Sequence, residues 1–143
     1  MEGARALVLG SLGITPYVDR VLELVDVSSR ASPEHHALVM ERDGTVAALA
    51  LLGPVAGADR VWQLGMLLIA PRIDVREVGG VLVAGVIHHA RERGGRLLMA
   101  ELPADPVIGA SLSLLRASGF RQEARIPDFF RDGVALLFLR IDL

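Results

Sequence analysis

Residues 61 to 93, VWQLGMLLIAPRIDVREVGGVLVAGVIHHARER, set an apolar run, a turn at Pro71, the pair Gly79-Gly80 and a helical pattern end to end. A strand that feeds a helix start through a tight turn aims several backbone N–H groups and a positive dipole end at one point. That arrangement suits a phosphate. Two carboxylates, Asp74 and Glu77, fall in the same turn. Unit charges about 4 Å apart interact by roughly 1 kcal/mol in water-like surroundings and roughly 4 at an effective dielectric near 20. A helix end returns only about 0.3 to 1 kcal/mol to an anion. Anion binding here therefore requires that both acids point away, or that Arg72 and Arg76 offset them. Gly79 and Gly80 would let phosphate oxygens approach the backbone; the other use of glycine at such a place is close helix-on-strand packing. His88 and His89 are neighbours, so on a helix they diverge by about 100° and cannot share one metal. No metal site is expected. His89, on an apolar stripe, reads as a satisfied interior histidine, and His35 and His36, just before a strand, read as solvated.

These groups need a scaffold. Residues 4 to 12 read as a short helix, and Thr15-Pro16 as an N-cap with proline at the first helical position of an amphipathic helix over 16 to 28. No strand precedes this helix pair. Ala37 to Glu41 and Val46 to Leu52 flank Asp43-Gly44, the pair that a type I′ hairpin turn demands. Val61 to Ala70 is a third strand, apolar enough to be buried on both faces. The long helix is expected from Arg76 to Arg93, ended by Gly94-Gly95. A strand from Arg96 to Leu102, a helix from Val107 to Ser118 and strands over Phe120 to Ile126 and Ala135 to Ile141 complete the chain, with 127 to 133 as a loop. In that loop Arg131 could read an acidic group, although Asp132-Gly133 also suits a plain hairpin turn.

The sequence of 143 residues fits one domain, 1–143, with a sizeable core. Cysteine is absent, so disulfides, thiolate metal sites and cysteine nucleophiles are excluded. All 15 basic residues are arginine, and a net charge of −2 with the arginines dispersed gives no basic stripe, so nucleic acid is not an expected partner. A mean hydropathy of +0.45 with 52% hydrophobic residues is high. Its apolar runs are too short and too broken to span a bilayer, so no membrane is expected and the surplus apolar surface points to a homodimer. No signal-like N-terminus appears, which makes cytoplasmic the expected location.

The run from Pro71 to Val83 resembles the pyrophosphate loop of the GNAT superfamily of acyl-CoA-dependent N-acetyltransferases, in which apolar-x-Pro is followed by R/Q-x-x-G-x-G/A and a helix. Counted from Pro71, the motif arginine falls on Asp74, the first glycine on Glu77 and the second on Gly79. A second frame takes Arg76 as the arginine and Gly79 as the first glycine. The resemblance covers roughly residues 15 to 143. It implies an α/β (α+β) fold, a mixed, mostly antiparallel sheet flanked by helices in the order α-α-β-β-β-α-β-α-β-β, with acetyl-CoA as co-substrate and an amine as acceptor. It also implies a bulge near Gly65 to Leu67 that frees a backbone N–H for the thioester carbonyl. Coenzyme contacts fall on Leu67, Leu68, Ile69, Asp74, Val75, Arg76, Glu77, Val78, Gly79 and Gly80. Glu101 takes the place of the general base. The tyrosine that commonly protonates the thiolate falls on Leu115, which leaves Tyr17 as the hydroxyl near the acceptor cleft. The resemblance thus implies an N-acetyltransferase for a small molecule or peptide amine. The alternative is a GNAT-fold dimer that has lost transfer and serves as a binding or regulatory module, which Asp74, Glu77 and Leu115 favour.

Overall fold

Asp43 and Gly44 adopt φ of 51° and 79°, the left-handed pair of a type I′ turn, and join β1 (His36–Arg42) to β2 (Thr45–Pro54). β3 (Val61–Ile69) continues the meander antiparallel to β2. The computed structural model describes residues 2–13, 15–30 and 34–143. A crossover helix, α3 (Gly80–Glu92), then carries the chain to β4 (Leu97–Pro103), which lies parallel to β3. After α4 (Gly109–Ala117) the sheet is closed by β5 (Arg121–Arg131) and β6 (Val134–Asp142) in the order β1-β2-β3-β4-β6-β5. All pairings but β3–β4 are antiparallel. The expected mixed sheet with helices on its faces is therefore observed.

Alternation along the strands assigns the faces. Leu38 meets Gly85 of α3, while Val39 and Val46 border a groove with Gly3 of α1 (Glu2–Leu12). α1 and α2 (Val18–Ser29) thus cover one face of β1–β3, and α3 with α4 covers the other. β3 is buried from both sides, with Leu64 and Leu67 fully inaccessible. On the α1–α2 side the β4–β6–β5 half carries a shallow apolar groove lined by Leu97, Met99, Ala124 and Phe138.

Three local expectations change. Thr15 does not cap α2: its N–H (2.9 Å) and Oγ1 (2.6 Å) both donate to the Leu12 carbonyl, closing the end of α1, and Tyr17 precedes α2 without a side-chain cap. The long helix opens with a wide π-type turn, Val75–Gly79, before regular geometry begins at Gly80. The loop expected over 127 to 133 is largely strand. β5 runs through it with an irregularity between Ile126 and Arg131, and Asp128 at φ 53° accepts the Gly133 N–H at 2.7 Å to hold the tight turn.

Candidate functional site

The parallel pairing of β3 with β4 runs from Val61↔Leu97 to Leu64↔Ala100 and stops there. β3 continues to Ile69 paired with β2 alone, and β4 continues to Pro103 paired with β6 alone. The two strands fork, and the backbone of β3 beyond the fork has no strand on its β4 side. The register with β2 slips at this place: Leu51 faces Met66 and Leu52 faces Leu64, so Gly65 is the extra residue of a bulge, within the expected stretch. Leu67 and Leu68 are buried along the fork wall, and Ile69 is half-buried at its end.

Glu101 is the first β4 residue past the last β3–β4 pair. Gln63 pairs with Met99, and Gln63 and Gly65 border a cavity with α2, so Glu101, two residues beyond Met99, projects to the α2 side. It is half-buried, with no hydrogen-bond or ion-pair partner among the described residues. A carboxylate at the mouth of a fork where β3 has a strand partner on one side only can take a proton from a group placed there.

The turn above the fork disposes of its two acids. Asp74 Oδ1 accepts the N–H groups of Arg76 (3.0 Å) and Glu77 (3.1 Å), so it caps the helix start. Glu77 reaches across to Arg42 at 2.6 Å. Exposed pairs of this kind are worth about 0 to 1 kcal/mol, so this one orients Glu77 more than it stabilises the fold. Arg72, held at φ 66°, and Arg76 are exposed and unpaired among the described residues. Two free guanidinium groups therefore flank the turn. Val75 is half-buried and Val78 buried. Gly79 is a packing glycine, since a Cβ there would meet Leu114 Cδ2 at 2.5 Å and Ile69 Cδ1 at 2.9 Å; Gly80 faces open space.

Tyr17 is 4% exposed, and its hydroxyl donates to Asp105 Oδ2. Asp105 also accepts the Val107 N–H at 2.9 Å and Arg131 at 3.2 Å, and the Tyr17 ring meets Phe130 edge-on at 5.3 Å. Burial, with the Asp105 hydrogen bond and charge, raises the phenol well above the usual tyrosine range. Burial alone would raise Asp105, but the Tyr17 hydroxyl, the Val107 N–H and Arg131 outweigh it and hold the carboxyl below its usual range. Tyr17 thus spends its only proton on Asp105, and Arg131 is engaged by the same carboxylate. Leu115 is fully buried in α4. Asp105 escaped the sequence reading; its signal was Asp before Pro106, a cap followed by proline, and the Val107 N–H contact is that cap.

The histidines also depart from expectation. His36 is half-buried, with its ring 4.6 Å from His89 and 6.1 Å from Trp62. His89 Nε2 is buried without a partner among the described residues, and burial, then Arg93, His36 and His88, lower its pKa. Neutral His89 packs; it is not satisfied.

The sequence pattern of the acetyltransferase (GNAT) family matches residues 11–111. Among solved structures, a protein from Desulfovibrio desulfuricans assigned to the GNAT family superposes with a TM-score of 0.80 at 28% identity, covering 98% of this chain and 90% of that one. A ribosomal-protein-alanine N-acetyltransferase from Brucella melitensis gives 0.68 at 26% identity over 88% of this chain and 78% of its own. The yncA protein of Salmonella typhimurium, solved with its cofactor acetyl-CoA, gives 0.67 at 22% identity over 88% and 73%. No curated protein matches the sequence.

Proposed function

Because the chain belongs to the GNAT family of acetyltransferases, we propose that it transfers an acetyl group from acetyl-CoA to a primary amine at the β3–β4 fork. The observation that carries this reading is the fork itself, with Glu101 at its mouth and the free Arg72 and Arg76 above it. The likeness to a fold partner that holds acetyl-CoA supports the choice of co-substrate. Pantetheine would lie along Leu67, Leu68 and Ile69, and the phosphates would meet Arg72, Arg76 and the N–H groups of the turn. Glu101 would take a proton from the ammonium. The neutral nitrogen would then bond to the thioester carbon, the developing oxyanion would be held by β3 backbone N–H, the nitrogen would release its second proton to solvent as the C–S bond breaks, and solvent would protonate the thiolate. Tyr17, committed to Asp105, positions the α1–α2 turn in this scheme and does not supply that proton.

Titration of acetyl-CoA by calorimetry tests the proposal, with micromolar binding that weakens with salt as the expected result. Asp74→Asn keeps the cap and removes one charge, so binding should tighten roughly fivefold, about 1 kcal/mol, at low salt. Asp74→Ala also vacates two N–H groups and should tighten it further, while costing about 1 kcal/mol of stability. No binding at millimolar acetyl-CoA would favour the second reading, a GNAT-fold module without transfer activity. The occupied N–H groups at Asp74 and the buried Leu115 speak for that reading.

A second copy of this chain is our proposed cover for the apolar groove of Leu97, Met99, Ala124 and Phe138, which a twofold axis would set against its own copy. Light scattering should give a dimer mass at micromolar concentration; a monomer mass refutes it.

A further inference from the structure

Under α2, against the β2–β3 pair, lies a cavity of about 70 Å³ bordered by Arg20, Leu24, Ser28, His35, Gln63 and Gly65. Arg20, Leu24 and Ser28 are four residues apart along α2 and form one stripe of that helix. Among the described residues the side chains of exposed Arg20 and half-buried Ser28 and Gln63 have no hydrogen-bond or ion-pair partner, and all three border this space. Each can donate, and Arg20 brings a full charge with two parallel N–H bonds for a carboxylate. No acidic side chain borders the cavity among the described residues. The chemistry of the lining selects an anion.

The cavity also has a position. Gly65, the bulged residue next to the fork, forms part of its wall, and a Cβ there would meet Leu24 Cδ1 at 2.8 Å. Gln63 faces the same side of the sheet as Glu101. A molecule whose anionic end is held by Arg20 and Ser28 would lie against Gly65, the bulged residue beside the fork. At about 10 to 15 Å³ per water-sized position, the volume accommodates roughly five to seven such positions, the bulk of a carboxylate with its adjoining carbons.

We propose that this cavity seats the carboxylate of the acceptor, so that the amine substrate is a small free amino acid. The inference rests on the acetyl-transfer reading for its catalytic half, while the seat can be tested without turnover. The first experiment compares L-leucine, L-leucinamide and isopentylamine as acceptors with acetyl-CoA, following release of the free thiol. L-Leucine should exceed the other two by at least tenfold in kcat/KM. Arg20→Gln should abolish that advantage through KM, bringing L-leucine down to the level of isopentylamine. The second experiment titrates L-leucine and L-leucinamide into the protein without coenzyme while the side-chain amide of Gln63 and the backbone amide of Gly53 are followed by NMR. Saturable shifts with the acid, absent with the amide and absent in Arg20→Gln, support the seat even where no amine is acetylated; that combination overturns transfer alone. Equal rates for acid and amide, preference for a peptide amine, or no shift at Gln63 with L-leucine overturns the seat.

Discussion

Glu101→Gln should lower kcat by about 10²- to 10⁴-fold, the usual contribution of a positioned general base, with little change in acetyl-CoA affinity. The side chain lies at the first β4 position beyond the β3–β4 pairing and has no structural partner among the described residues, so its loss should leave the fold intact. Thermal unfolding of the variant should match the parent within about 0.5 kcal/mol, as for substitutions away from packed or paired features. Initial rates and a melting curve on the same preparation check both halves. Unchanged turnover at all pH values would remove Glu101 from the chemistry.

Asp105→Ala should destabilise the protein by about 2 to 4 kcal/mol, because it strands the buried Tyr17 hydroxyl, the Val107 N–H and one partner of Arg131. Against a total of about 5 to 15 kcal/mol for an ordinary domain, this is a large loss. Asp105→Asn keeps an acceptor and should cost less. The pH dependence separates the partners. Asp105 titrates lower when folded, so its contribution is complete above the ordinary carboxylate range and is lost as pH falls through that range to the lower folded value. Tyr17 titrates higher when folded, so its contribution is complete below the ordinary tyrosine range and is lost as pH rises through the folded value. Denaturant midpoints from acid to alkaline pH should show both limbs in the parent. Asp105→Ala should flatten the acid limb; an unchanged acid limb would show that the carboxylate is not held as described.

The fold was legible where one principle decided each element. Asp43-Gly44 dictated a turn, the apolar run from Leu64 dictated a strand buried on both faces, and the Pro71 turn before Gly79 and Gly80 dictated a crossover helix, all as observed. Misreadings arose where two local uses of a residue competed. Thr15 could cap the helix after it or close the helix before it, and both its donors chose Leu12. The stretch 127 to 133 has loop composition, yet β6 offers a pairing partner and draws β5 through it. The turn after Pro71 and the place of Glu101 on a strand were legible, because distance from a proline and position in a strand are one-dimensional properties. Whether Asp74 repels a phosphate or caps its own helix depends on a side-chain rotation, and Arg42 lies 35 residues from Glu77. Neither could be read from spacing. The cavity under α2 is a matter of three dimensions altogether, since it joins residues of α2, β2 and β3.

The β3–β4 pairing spans four residue pairs, from Val61↔Leu97 to Leu64↔Ala100. Mechanically, the sheet is two leaves, β1–β2–β3 and β4–β6–β5, stitched by this short seam. Anything wedged into the fork contacts both leaves at once and becomes part of the stitching. Under the proposed acetyl transfer the coenzyme would be both reactant and fastener, and each round of product release would undo a portion of the molecule's own cohesion. Turnover would then be coupled to the spacing of the two halves, and the four-pair seam is where that spacing is set.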